Sequence, residues 1–232
     1  MPRRPRLVCQ GMPHHVTQRG NYQQNVFESQ EDFRRYCYLV LEYQAEYKID
    51  VISYCLMRNH VHFIVIPETK EGLSGFISVV HMNYSKYKNS INNKKGHLWQ
   101  SRFFSSVLDD KYLFHAVRYV EQNPLRAGIV HYPWDYIWSS AREHVHLEKA
   151  PIIKTVHAEK IQSMLGRGNW REYLSNEDLD LNDLIRAKTK RGSVLATEDF
   201  IKDMEQKLGR PLADYKQGRP KKGTATFFTV LG

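Results

Sequence analysis

Two apolar runs, "IDVISYCLM" (Ile49 to Met57) and "HVHFIVI" (His60 to Ile66), are separated by only Arg58 and Asn59. Both are rich in Val, Ile, Tyr and Phe, the residues that suit a pleated, half-buried surface. So short a connection dictates an antiparallel hairpin, because parallel strands need a crossover of about a dozen residues or more. Asn59 is expected to serve the turn by tolerating a positive φ. The rest of the chain has to arrange itself around this hairpin.

The flanking segments alternate in type. "HHVTQRGN" (His14 to Asn21) reads as a short strand closed by a Gly-Asn turn. "SQEDFRRYCYLVLEYQAEYK" (Ser29 to Lys48) reads as a helix, with Ser29 as N-cap, acids in its first turn, and Phe33, Cys37, Leu41 and Ala45 on one face. After the hairpin, "GLSGFISVVHMNYSKYKNSINNKKG" reads as a second helix and "HLWQSRFFSSVLDD" as a fourth strand. "KYLFHAVRYVEQN" reads as a third helix stopped at Pro124. The order β-α-β-β-α-β predicts an α+β fold, the ferredoxin-like split βαβ, with an antiparallel sheet and both helices on one face. The third helix is expected at the edge of that sheet.

Beyond Val145 the pattern changes to short polar helical pieces with no strand. The chain therefore divides into residues 1–145, a helical appendage over 146–210, and a basic, disordered tail over 211–232. The tail's "QGRPKKG" resembles short Gly-Arg-Pro motifs that lie in the minor groove of A·T-rich DNA. It reads equally as a solubilising tail.

Charge points to a polyanionic partner. The 232 residues carry 34 Lys and Arg against 25 Asp and Glu, a net of +9. The sign is segregated: Gly72 to Leu108 contains no acid but holds Lys86, Lys88, Lys94, Lys95 and Arg102. Three scattered cysteines exclude a disulfide framework or a Cys-x-x-Cys zinc site. No apolar signal region and no run of membrane-spanning length occurs, so a soluble, cytoplasmic, nucleoid-associated protein is expected.

On an extended strand His60 and His62 point to the same face. They either share a metal ion or are two partly buried histidines with ordinary hydrogen bonds. On the third helix Tyr112, Leu113, Ala116, Val117 and Val120 make an apolar stripe, with Lys111, Phe114, Arg118 and Glu121 mostly away from it. Tyr119 and Asn123, spaced i, i+4, fall on its margin, where a residue touches the sheet and still meets solvent. A second His-x-His, His144 and His146, falls on a helix, where i and i+2 diverge by about 200° and share no ion. His14 and His15, adjacent on a strand, face opposite ways, so at most one lines a site. Two histidines and an amide oxygen suit Mn²⁺ or Mg²⁺ with open positions, and a tyrosine hydroxyl beside them implies attack on a phosphodiester.

His60-Val61-His62 resembles the His-hydrophobic-His signature of the HUH endonucleases, and "YVEQNPLRAGIV" (Tyr119 to Val130) resembles the helix bearing the single catalytic tyrosine of IS200-like transposases. "PHHVTQRGN", "MRNHVHFIV", "GHLWQSRFFSS" and "YPWDYIWSS" resemble the REP-associated tyrosine transposases, in the same order over roughly residues 1 to 145. The resemblance implies a ferredoxin-like domain that cleaves and rejoins single-stranded DNA near hairpins. By position, it implies that His60, His62 and Asn123 ligate a divalent ion, Mg²⁺ or Mn²⁺, and that Tyr119 forms a 5′-phosphotyrosine link. The subgroup suggests a monomer, the wider family a dimer. Lys86, Lys88, Lys94, Lys95, Trp99, Arg102 and Arg126 are the expected DNA contacts, with Tyr84 and Tyr87 also available to stack bases. Trp134 and Trp138 are expected to pack the core. Two rivals stay open: a non-enzymatic hairpin-binding protein, and a zinc-dependent hydrolase that still needs a third strong ligand.

Overall fold

The two-residue connection acts as its length demands. In this computed structural model, which describes residues 6–145, 152–156, 169–209 and 211–212, β2 (Ile49–Met57) and β3 (His60–Pro67) pair antiparallel, with Met57 opposite His60 and Cys55 opposite His62. Neither Arg58 nor Asn59 takes a positive φ. Asn59 contributes its side chain instead: its Nδ2 donates to Gln23 O at 3.5 Å and its Oδ1 lies 2.6 Å from His60 Nδ1.

β1 (His14–Arg19) enters between β3 and β4 (Phe104–Leu108), antiparallel to both. α1 (Gln30–Glu46) is capped by Ser29, whose side chain accepts from Asp32 N while Asp32 accepts in return from Ser29 N, a reciprocal capping box. α1 and α2 (Gly72–Ile91) cover the face lined by Val16, Val61, Phe63 and Val65. There Tyr36, Phe27, Tyr84 and Phe63 form an aromatic core. This is the ferredoxin-like α+β arrangement.

The third helix departs from expectation. α3 (Asp110–Glu121) lies across the opposite face of the sheet rather than at its edge. Its outer side is covered in turn by α6 (Trp170–Ser175), so Arg118 and Glu121, though they lie away from the apolar stripe, are buried. Glu121 accepts from Ser140 Oγ at 2.6 Å, His144 Nδ1 at 2.5 Å and Trp170 Nε1 at 2.9 Å. The short turn α4 (Asn123–Arg126) follows α3, and the short turn α5 (Ala141–His144) carries His144.

The C-terminal third also contains a strand that the sequence pattern did not suggest. After α7 (Leu179–Arg191), Gly192 closes the helix at φ 68°, and β5 (Val194–Leu195) pairs parallel with β4, giving the sheet order β2-β3-β1-β4-β5. α8 (Glu198–Leu208) follows, its Met204 packing with Cys9, Val107 and Val194. Two residues are too short a run to show alternation, which is why β5 was not visible in the pattern. The turns expected after Val156, His146, the arginines before Arg6 and the tail from residue 213 lie outside the described residues. Among the described residues no helix is long and apolar enough to cross a membrane.

Candidate metal and nucleophile site

Strand parity assembles the site. Thr17 stands opposite His62 and His15 opposite Ile64, so His15 and His62 are diagonal neighbours on the face that α3 covers. Their rings stack, 5.2 Å apart and 7° from parallel. His60 meets His62 edge-on at 5.0 Å. From α3, Tyr119 points its ring edge-on at His15 and His62, with centroids 5.6 and 5.7 Å away. His14 faces the other way, held between Met12 O and Cys9 N.

The hydrogen bonds leave matching nitrogens free. The Asn59 amide oxygen only accepts, so His60 Nδ1 carries the proton between them and Nε2 keeps its lone pair. His62 Nδ1 is engaged at 2.9 Å with His15 Nε2, which leaves His62 Nε2 as its outward nitrogen. Asn123 Nδ2 donates to Tyr119 O at 3.0 Å and Val120 O at 3.1 Å, so the Asn123 oxygen is the end available to a ligand.

Burial, reinforced by nearby cations, keeps these rings neutral. Burial first, then Arg19 and Arg126, brings the His60 pKa down to about 4. Burial first, then Arg126, brings His15 to about 3, and burial with the neighbouring His60 and His15 takes His62 well below its ordinary value. Neutral imidazoles with one nitrogen tied to an acceptor are the form in which histidine binds metal. With one amide oxygen they fit a loosely held divalent ion. Among the described residues no three His, Cys, Asp or Glu side chains gather at metal-binding spacing. The third strong ligand that a zinc hydrolase needs is therefore not found among them.

Tyr119 is less accessible than a margin position suggests, at 4 % exposure. The cause is the chain reversal at Pro124. α3 stops at Glu121, α4 begins at Asn123, and Arg126 folds back so that its guanidinium lies 4.4 Å from the Tyr119 ring centroid. Arg126 Nη2 donates to Tyr119 O at 2.7 Å, while its buried Nη1 has no hydrogen-bond partner among the described residues. A buried, half-satisfied guanidinium beside a tyrosine is a ready partner for a phosphate oxygen.

Of the expected DNA contacts, Lys86, Lys94, Lys95 and Arg102 are exposed. Two others need correction. Lys88 is 3 % exposed because it turns inward, with Nζ 2.7 Å from Glu28 and 2.9 Å from Asp32. Trp99 is buried, stacked on His81 at 4.1 Å with its Nε1 donating to His81 O. Tyr84 is likewise buried, whereas Tyr87 is half-buried. Trp138 packs the core against Phe33, while Trp134 is only partly buried, against Tyr132. The basic loop is tied to the His60 end of the sheet. Gly20 N donates to Asn59 O, Asn21 N to Leu98 O, and a Cβ at Gly20 would come within 2.3 Å of Gln24 O.

Of the second His-x-His, His144 on α5 turns to Glu121, while His146 lies outside the described residues. Sequence reasoning missed Asn59 as a side-chain partner, His15 as the neighbour of His62, and Thr189 on α7, whose Oγ1 lies 2.7 Å from His15 Nδ1. Only His15 left a signal, as one of two adjacent strand histidines.

Known proteins resemble this chain in sequence and fold. Residues 9–123 match the family model described as transposase IS200 like. A Haemophilus influenzae protein described as a REP-associated tyrosine transposase is 24 % identical over 116 residues, 45 % of this chain and 66 % of its own length. The chain thus spans just under two thirds of that relative. The solved structure of a REP-associated tyrosine transposase bound to a REP hairpin superposes with a TM-score of 0.55 at 17 % identity, covering 68 % of this chain and 93 % of the other. That likeness is one of fold. The stretch that matches the IS200-like transposases, residues 9–123, holds the paired histidines, the tyrosine and the asparagine.

Proposed function

We propose that this protein is a divalent-metal-dependent transposase that cleaves and rejoins single-stranded DNA near hairpins through a covalent link to Tyr119. The observation that supports this reading is the meeting of the Tyr119 ring with His62 and His15 on the sheet face that also carries His60, with Asn123 one helical turn beyond the tyrosine. The hairpin substrate is taken from the solved relative, whose structure holds a REP hairpin.

His60, His62 and Asn123 would hold Mg²⁺ or Mn²⁺, which supplies Lewis-acid stabilisation of charge on the non-bridging phosphate oxygens. Tyr119 Oη gives up its proton and forms a bond to phosphorus. The P–O3′ bond breaks, and the departing 3′ oxygen takes a proton to become a free hydroxyl. The 5′ phosphate stays on the tyrosine, and attack by another 3′-OH reverses the step without ATP. Arg126 Nη1 offers a charged donor to the phosphate beside the tyrosine. Lys86, Lys94, Lys95 and Arg102, all exposed, offer positive charge to the DNA backbone.

The test is a hairpin oligonucleotide labelled on the 3′ side of the break, incubated with Mn²⁺. Wild type yields a labelled band that survives boiling in detergent, whereas Tyr119→Phe binds the hairpin and yields none. Tyr112→Phe, on the same helix, keeps cleaving. An adduct from Tyr119→Phe assigns the nucleophile elsewhere. Binding without an adduct from wild type on any hairpin favours the non-enzymatic hairpin-binding protein.

A further inference from the structure

His62 does not stand alone behind its outward nitrogen. Its Nδ1 lies 2.9 Å from His15 Nε2, and His15 Nδ1 lies 2.7 Å from Thr189 Oγ1, on a helix 174 residues further along the chain. Thr189 in turn spends its only hydroxyl proton on Ile185 O, at 2.8 Å, one turn back in α7. His15 and His62 are 1 % and 5 % exposed, and Thr189 is 1 % exposed, so water does not substitute for these partners.

The direction of the whole chain follows from that last bond. A hydroxyl has one proton and two lone pairs. With its proton on Ile185 O, Thr189 Oγ1 only accepts, so His15 Nδ1 must be the donor. A neutral His15 protonated on Nδ1 has a lone pair on Nε2, so it accepts from His62. His62 is then protonated on Nδ1, and its Nε2 lone pair is open to a metal. Each step is fixed by the one before it.

We propose that Thr189 and His15 are positioning residues for the metal site: the chain Ile185 O, Thr189, His15 sets the tautomer of His62 so that Nε2 is the metal-binding nitrogen. This rests on the metal site proposed above and extends it to the C-terminal third, beyond the segment that matches the transposase family. Tying the far nitrogen of a ligating histidine to an acceptor fixes its ring and tautomer, and loss of such a partner costs about 10- to 100-fold in metal affinity. What is unusual is the distance in sequence. The helix that supplies the last acceptor is made after the rest of the site.

Removing the hydroxyl makes the opposite prediction. In Thr189→Val, similar in shape, a proton on His15 Nδ1 would be buried with no acceptor. His15 escapes that cost by moving the proton to Nε2, where it donates to His62 Nδ1. His62 then carries its proton on Nε2, where the metal should bind. Thr189→Ser restores the hydroxyl and with it the original direction.

The experiment reads the tautomers directly, by ¹⁵N–¹H correlation of the histidine rings in the full-length, metal-free protein at pH 7.5, alongside Mn²⁺ titration of each variant. Wild type and Thr189→Ser should show His62 protonated on Nδ1 and bind Mn²⁺ alike. Thr189→Val should show His62 protonated on Nε2 and bind Mn²⁺ about tenfold more weakly or worse. His15→Gln, whose amide oxygen still accepts from His62 Nδ1, should retain the Nδ1–H form. The inference is overturned if wild-type His62 carries its proton on Nε2. It is overturned equally if Thr189→Val, folded by near-ultraviolet circular dichroism, changes neither tautomer nor affinity. Because the tautomers are read without DNA or metal, this outcome is separate from whether Tyr119 forms an adduct.

Discussion

Replacing His144 with alanine removes one of three close donors to the buried Glu121 carboxylate and the only ionisable one, at 2.5 Å. Ser140 and Trp170 remain at 2.6 and 2.9 Å, but both are neutral. Burial alone would depress the His144 imidazole; the Glu121 carboxylate outweighs it and raises the pKa above the ordinary histidine value. Where His144 is protonated the two form an ion pair at fully buried positions. Removing one member of such a pair costs about 3–5 kcal/mol, because the other charge is left without its partner. At about 2–4 °C per kcal/mol for a chain of this size, the melting temperature should drop by roughly 10 °C. Differential scanning calorimetry across pH supplies the decisive check. A raised folded pKa gives stability that is fully present below the unfolded value, near 6.5, and is lost as pH rises through the folded value. The gap between wild type and His144→Ala should therefore be widest near pH 6 and narrow as the pH is raised. Mn²⁺ affinity should be unchanged. A melting temperature within about 2 °C of wild type at pH 6, or a gap that widens with pH, would refute the ion pair.

The two lysines on α2 should behave differently. Lys86→Ala should lower the slope of log affinity against log salt for single-stranded hairpin DNA by about 0.7, read by fluorescence anisotropy. Lys88→Ala should leave that slope alone and destabilise by about 3–5 kcal/mol in a urea melt, because Asp32 loses its buried partner. His14 and His81 give the reverse pH sign to His144. Burial lowers their pKa values to about 4 and about 3, so the unfolded chain takes up protons first and stability falls as pH drops below about 6.5. His81→Asn should flatten the acid limb of the melting-temperature profile, and an unchanged limb would remove His81 from this account.

The hairpin, the capped first helix and the face shared by His60 and His62 were legible because each rests on neighbours in sequence. A two-residue gap, a Ser29–Asp32 spacing and an alternation of period two carry their own physics. The covering of α3 was not legible. Arg118 and Glu121 are polar, and nothing near them announces that Trp170 will lie over that side of the helix. Lys88 misled for the related reason that a lysine in a basic stretch looks solvated until Asp32, 56 residues earlier, is folded against it. The site divides in the same way. His60, His62, Tyr119 and Asn123 follow from local spacing and resemblance, whereas Asn59, His15 and Thr189 act through side-chain bonds that only the fold brings together.

Both borders of the central sheet are closed by residues that follow the family-matched segment. At β2, Leu56 N donates to Trp138 O, Ser140 N to Tyr54 O and Val156 N to Val51 O; at β4, the border is taken by Val194 and Leu195. During synthesis the β-α-β-β-α-β unit leaves the ribosome before either covering segment has been made. For that interval it presents bare backbone N–H and C=O groups along two strands, a template for pairing with any neighbouring nascent chain. A fragment ending near residue 123 would keep that condition permanently and should be found as aggregates or edge-paired oligomers. The residues after 123 thus cover both strand edges, and how quickly they follow the β-α-β-β-α-β unit bears on how much protein escapes edge pairing during synthesis.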